Sequence, residues 1–168
     1  MTLARTLEIC DAVVDAIGTA WDPTSPDAVS REYGVEVGLS KDYASILLTG
    51  RKVYVFPTSY EAPGLIDREV LMNAHGVAVL ICERYTNSDG STADPGLPPK
   101  AWMDERVLFV QDKIYKVLRN PHLVLLDTVI PVPDELGSID LVYDRDLYLS
   151  KRAFWSYGFF NFQEATEP

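Results

Sequence analysis

Histidine and cysteine are scarce, with two of each in 168 residues. No Cys-x-x-Cys or His-x-x-x-His pair exists, so the usual spacings of a zinc or redox site are absent. Cys10 and Cys82 each sit in an apolar run, which fits a reduced setting better than a disulfide framework. Cationic charge is also short: 15 lysines and arginines stand against 25 aspartates and glutamates, for a net charge of -10. Gripping phosphates or an anionic membrane needs clustered cations, so both kinds of surface are disfavoured. No apolar stretch reaches the ~18 residues of a membrane span. The opening Met1-Thr2-Leu3-Ala4-Arg5 is no signal peptide, and the expectation is a protein outside both membrane and secretory route.

What is present is a globular composition. Hydrophobic residues make up 47% and charged residues 24%. A chain of this length fits one domain over 1–168 and buries roughly 70% of its unfolded surface without staples. The segment 86–99 is expected to be a mobile loop, since it holds three prolines and two glycines. A flexible tail is expected over 164–168.

Periodicity supplies the elements. Leu3, Leu7, Cys10, Val14 and Ile17 recur at helical spacing over 3–20. Asp22-Pro23-Thr24-Ser25-Pro26 ends that helix. A second helix spans 101–119, with Met103, Val107, Val110, Ile114 and Val117 as its stripe and Asn120-Pro121 as its stop. Tyr33, Val35 and Val37 alternate with polar or small residues, and the glycines among them suggest an edge strand. Val53-Tyr54-Val55-Phe56 is a strand that stops at Pro57. Val77–Cys82 is apolar on both parities, as a central strand is. Phe154 to Phe162 is an aromatic strand, with Trp155, Tyr157 and Phe159 on one parity. The order helix, strands, helix, strands predicts an α+β fold: a mainly antiparallel sheet with two helices packed on one face.

Chemistry is harder to find. His75 precedes the central strand and reads as a surface or strand-end histidine, with general-base work as the alternative. His122 follows Pro121 outside any nucleophile motif. Asn87-Ser88-Asp89-Gly90-Ser91 lacks the twelfth-position glutamate of a calcium loop. Thr49-Gly50-Arg51 is too short for a phosphate loop. Residues 134–146 carry five carboxylates, Asp134, Glu135, Asp140, Asp144 and Asp146, and read as an acidic loop. No catalytic, metal or cofactor site is expected. The aromatic strand points elsewhere: Trp155, Tyr157 and Phe159 are either core or an interface on the outer face of the sheet.

Several stretches together resemble a known group. They are Val53-Tyr54-Val55-Phe56-Pro57-Thr58-Ser59, then Asp67-Arg68-Glu69 leading to Gly76-Val77-Ala78-Val79-Leu80-Ile81. The helix opening Ala101-Trp102-Met103-Asp104-Glu105-Arg106 follows, and then Phe154-Trp155-Ser156-Tyr157-Gly158-Phe159-Phe160. Over about residues 3–163 the pattern resembles the tail terminator (tail completion, or neck) proteins of long-tailed bacteriophages. The long 86–99 loop and the strand at 33–39 depart from the usual pattern of that family.

The resemblance implies a structural virion protein without chemistry or cofactor. Its subunits would form a ring, typically a hexamer, in the host cytoplasm during assembly. The ring would cap the tail tube protein and meet the head–tail connector, and DNA would pass through unbound. Another head–tail joining or minor tail component is the neighbouring reading, and a small hydrolase using His75 or the acidic loop is the reading from another class. Ring closure needs one patch to meet a different one. The edge residues Tyr33, Val35 and Val37 and the aromatic residues Trp155, Tyr157 and Phe159 are the interface candidates. The carboxylates of 134–146 would either line the lumen, repelling DNA, or form a solvated outer loop.

Overall fold

A computed structural model of the chain describes residues 3–23, 28–31, 51–65, 71–84, 100–132, 138–141, 144, 146 and 153–166. Helix α1 (Leu3–Trp21) comes first, followed by β1 (Val29–Arg31), β2 (Lys52–Leu65) and β3 (Leu71–Arg84). Helix α2 (Lys100–Phe109) continues through a π-helical segment, Val110–Tyr115, and a last α-turn, Lys116–Leu118. Strands β4 (Val129–Pro131), β5 (Ser138–Leu141) and β6 (Ala153–Thr166) complete the described elements.

Among these the strand order is β1-β2-β3-β6-β4, with β5 also pairing β6. β2, β3, β6, β4 and β5 pair antiparallel, whereas β1 joins β2 in parallel. The fold is α+β as expected from the element order, but the sheet is mixed.

One side of the sheet and both helices share the main core. Val53 and Val55 of β2, Val77, Val79 and Ile81 of β3, and Phe154, Phe160 and Phe162 of β6 form its floor. Period-two alternation places these residues on one face. Ile9, Cys10, Val13 and Ile17 of α1 lie above it, with Phe109, Val110, Ile114 and Leu118 of the second helix.

Both buried helical stripes differ from the expected ones. In α1 the stripe is Thr6, Ile9, Cys10, Val13 and Ile17, while Leu7 and Val14 are half-buried flanks. A hydroxyl takes the place of an apolar residue because it has a partner, as described below. In the second helix Arg106, Phe109, Val110, Ile114 and Leu118 are buried, and Met103, Val107 and Val117 sit beside them. Residues four apart drift around an α-helix. The wider turns of the π segment bring Val110, Ile114 and Leu118 back into line. Helix α1 ends where Asp22, in the left-handed region at φ 52°, donates its N–H to the Gly18 carbonyl at 2.8 Å. Lys113 Nζ caps the Ala20 carbonyl at 2.8 Å and ties the two helices together there.

Other boundaries move as well. β2 does not stop at Pro57 but runs to Leu65. Its register on β3 shifts between Pro57 and Ser59 and again between Glu61 and Gly64. β1 ends opposite Val55, so among the described residues Pro57 interrupts no second ladder. β3 is the central strand, with Val77 to Cys82 at most 1% exposed. Residues 138–141 of the expected acidic loop form β5 against β6. β6 continues through Glu164 to Thr166 into the expected flexible tail, and Glu164 is buried. The expected strand at 33–39 and the loop at 86–99 lie outside the described residues.

Candidate interaction surface

The face of the sheet away from the helices is built in rows across β2, β3 and β6. Registers align Phe56, Ala78 and Phe159 in one row, Tyr54, Leu80 and Tyr157 in the next, and Lys52, Cys82 and Trp155 in the third. Each row places a smaller residue on the central strand between larger flanks. Ala78, Leu80 and Cys82 are at most 1% exposed, while Tyr54, Phe56, Trp155, Tyr157 and Phe159 are half-buried. The rings close across the middle strand. The Phe56 and Tyr157 centroids stand 6.1 Å apart, and Tyr157 meets Phe159 edge-to-face at 4.7 Å. Aromatic contacts of this kind, across strands and along one, hold the rings in place. Ile130, 36% exposed, pairs with Gln163 and so extends this face onto β4.

Trp155, Tyr157 and Phe159 are therefore together on the face opposite α1 and α2, as the parity implied. Tyr33, Val35 and Val37 lie outside the described residues, as do Asp134 and Glu135. Asp140 falls at an irregularity of β5, between the pairs Ile139 with Gly158 and Leu141 with Tyr157. Asp144 is half-buried and its N–H donates to the Trp155 carbonyl at 3.0 Å. Asp146 is exposed, and its N–H donates to Asp144 Oδ1 at 2.9 Å. These two acids thus border the start of β6.

The β4 edge is closed to an added strand. The Val129 N–H donates back to the Leu125 carbonyl at 2.8 Å, and the Val129 carbonyl accepts from the Leu125 N–H at 2.7 Å. Pro131, the next outward residue, has no N–H. Val132 turns inward to the Asn161 carbonyl at 3.0 Å. Contacts at this edge must be made by side chains.

The turn that closes it was not legible in the sequence. Leu126 and Asp127 have φ of 50° and 66°, and the Thr128 N–H donates to the Leu125 carbonyl at 3.2 Å. Two consecutive positive φ values are the pattern of a type I′ turn, which favours Asn-Gly. Asp tolerates the left-handed region, but Leu126 is strained there by roughly 1 kcal/mol. Val124, Leu126 and Ile130 are nonetheless 55%, 39% and 36% exposed. With Leu108, they are the exposed large hydrophobics of the described residues.

A polar clamp fastens this turn to α1. Thr128 Oγ1 donates to Glu164 Oε1 at 2.6 Å, and Arg5 Nε donates to Glu164 Oε2 at 3.1 Å while its Nη2 donates to Oε1. The Arg5 hydrogen bonds hold the Glu164 carboxyl below the usual range, and the same contact raises Arg5. His75, expected at the surface, lies instead inside β3 and is 1% exposed. Its Nδ1 shares a 2.9 Å hydrogen bond with Thr6 Oγ1, which accounts for the buried threonine. Burial lowers the His75 pKa.

A second network closes the opposite end of the core. Glu83 accepts from Arg51 Nε at 2.8 Å and from Arg106 Nε at 3.2 Å and Nη2 at 2.5 Å. Glu105 bridges the same two arginines. The guanidiniums stack on rings, Arg51 over Phe109 and Arg106 over Trp102, each at 4.1 Å.

Among the described residues, no group of three or more His, Cys, Asp or Glu could hold a metal ion. Cys10 and Cys82 are free thiols on opposite sides of the sheet, pushed up to about 12 by burial. Among the described residues, no helix is long and apolar enough to cross a membrane. No protein-family model matches the chain, and no curated protein matches it.

Proposed function

We propose that this chain is a structural subunit of a phage tail terminator ring, one that caps the tail tube and offers a docking face to the head–tail connector. The observation that carries the reading is the sheet face opposite α1 and α2, where Tyr54, Phe56, Trp155, Tyr157 and Phe159 stand half-buried around a buried central strand. Large amphipathic rings in a contiguous patch suit protein contact. The charge of -10 opposes a phosphate grip. The two networks, each pairing carboxylates with arginines, occupy the ends of the core and serve the fold. The resemblance to tail terminators supplies the tube, the connector and the virion as the setting.

Purified protein should form a closed ring by light scattering and negative-stain imaging, and should bind the ends of isolated tail tubes. A particle that stays monomeric and never joins tubes would refute the reading. Labelling the subunit in intact virions would separate a terminator at the tube end from a joining protein nearer the connector.

A further inference from the structure

We propose that the start of α1 is an acid-released latch: protonation of His75, and then of Glu164, frees the first turns of this helix from the sheet while the rest of the fold stays closed. The proposal stands independently of the ring reading. It rests on how differently the two ends of α1 are held. At the end, Trp21 meets Phe109 edge-to-face at 4.9 Å, and the Ala20 carbonyl accepts from Lys113 Nζ at 2.8 Å. Midway, Asp11 pairs with Arg31 of β1 at 2.6 Å. At the start, Arg5 and Thr6 join α1 to a cluster of titratable groups. Thr6 Oγ1 is bonded to His75 Nδ1 on β3, and Arg5 grips both oxygens of Glu164 on β6.

The groups around His75 come from every element there. Arg5 lies on α1, with Glu8 bonded to it at 2.7 Å, and Glu164 lies on β6. Thr128 of the Leu125–Val129 turn shares Glu164 Oε1, Asn73 is buried on β3, and Tyr60 of β2 stands opposite His75 in register. A charged imidazole in this place is poorly solvated, because His75 is 1% exposed and Arg5 opposes it. Its own strand cannot yield, since β3 is paired along both edges. The helix start can. Thr6 is the fourth residue of α1, and helix ends open at far lower cost than central strands. Fraying through Thr6 admits water to the ring. The sign follows from linkage. The closed state resists the proton that an open His75 takes below about 6.5, so opening gains as pH falls from there. Glu164, held low by Arg5, adds a second gain below its ordinary value of about 4.5.

The test is amide hydrogen exchange of the full chain, resolved by residue by NMR and corrected for the intrinsic rate at each pH. The N–H groups of residues 7–10 bond to the carbonyls of residues 3–6, so they report the latch. Their opening constant should rise about threefold or more between about pH 7 and about pH 5.5. The amides of Ile17–Trp21 and of Val77–Cys82 should stay unchanged over the same range. His75→Gln keeps a hydrogen-bonding side chain without the titration and should abolish the rise. Glu164→Gln should raise the opening constant at pH 7 and keep the rise. If His75→Gln does not fold, the imidazole signals of His75 in the native chain take its place, and their titration should coincide with the loss of protection at residues 7–10. An equal loss at Val77–Cys82 would make the acid response global unfolding and overturn the latch. Equal loss at both ends of α1, no loss below about pH 6.5, a rise that survives His75→Gln, or a His75 ring that titrates without the amide change would each overturn it as well.

Discussion

Replacing Glu83 by Gln removes one charge from a buried position and changes little else. The Glu83 side chain is 11% exposed, and the side chains of Arg51 and Arg106 are 12% and 11% exposed. The glutamate holds both guanidiniums above the rim of the core, joining the end of β3 to the start of β2 and to α2. Breaking a buried pair costs about 3–5 kcal/mol when the remaining charge has no other partner. Here Glu105 still bridges both arginines, but it is 66% exposed and therefore well screened. The rings of Phe109 and Trp102 also remain under the cations. The expected loss is therefore about 2–3 kcal/mol, below the full penalty. At about 2–4 °C per kcal/mol for a domain of this size, the Tm should fall by about 5–10 °C. Glu105→Gln is the control and should cost less than about 1 kcal/mol, as exposed pairs do. Urea unfolding of both variants measures the difference. A Glu83→Gln loss under about 0.5 kcal/mol, or an equal loss for Glu105→Gln, would refute the reasoning.

Other expectations come from the same contacts. His75 is lowered by burial, so below its ordinary value of about 6.5 the unfolded chain takes a proton that the folded chain resists. Stability should fall as pH drops below about 6.5, and His75→Gln should flatten that limb. Glu164, held low by Arg5, contributes stability above its ordinary range and loses it as pH falls through its folded value, adding a second acid limb. A pH–stability curve without the upper limb in the native chain would contradict the His75 assignment. Cys10 and Cys82 are fully buried thiols pushed up to about 12, so labelling at pH 8 should proceed only as fast as the protein opens. A thiol that labels within seconds in native buffer would contradict their placement. Phe160→Ala opens the core floor and should cost about 3–5 kcal/mol in urea unfolding; a loss under 1 kcal/mol would place that ring outside the core.

Much of the architecture was legible because it rests on apolar periodicity. The two helices, the central strand and the two-sided aromatic strand are all visible in alternation or helical spacing. What escaped the pattern was polar or conformational. Thr6, His75, Glu83, Arg106 and Glu164 are buried through partners distant in sequence, and periodicity counts such residues as solvated. Pro57 looked like a strand end because the bulge after it depends on pairing with β3. Residues 138–141 looked like loop because carboxylates outweigh the short apolar alternation that β6 captures. The aromatic face was visible from parity alone, although its row order required the register. The Leu126 turn had no signal, since its sequence offers neither glycine nor asparagine where the backbone goes left-handed.

The central claim is that the sheet face opposite α1 and α2 is covered by protein when the chain joins a tail. Hydroxyl-radical footprinting of Tyr54, Phe56, Trp155, Tyr157 and Phe159, in the free chain and in the tail-bound particle, addresses it most directly. The account expects these five side chains to lose most of their reactivity on assembly, while Leu108 on the helical layer keeps its own. Equal reactivity of the five in both states would contradict it.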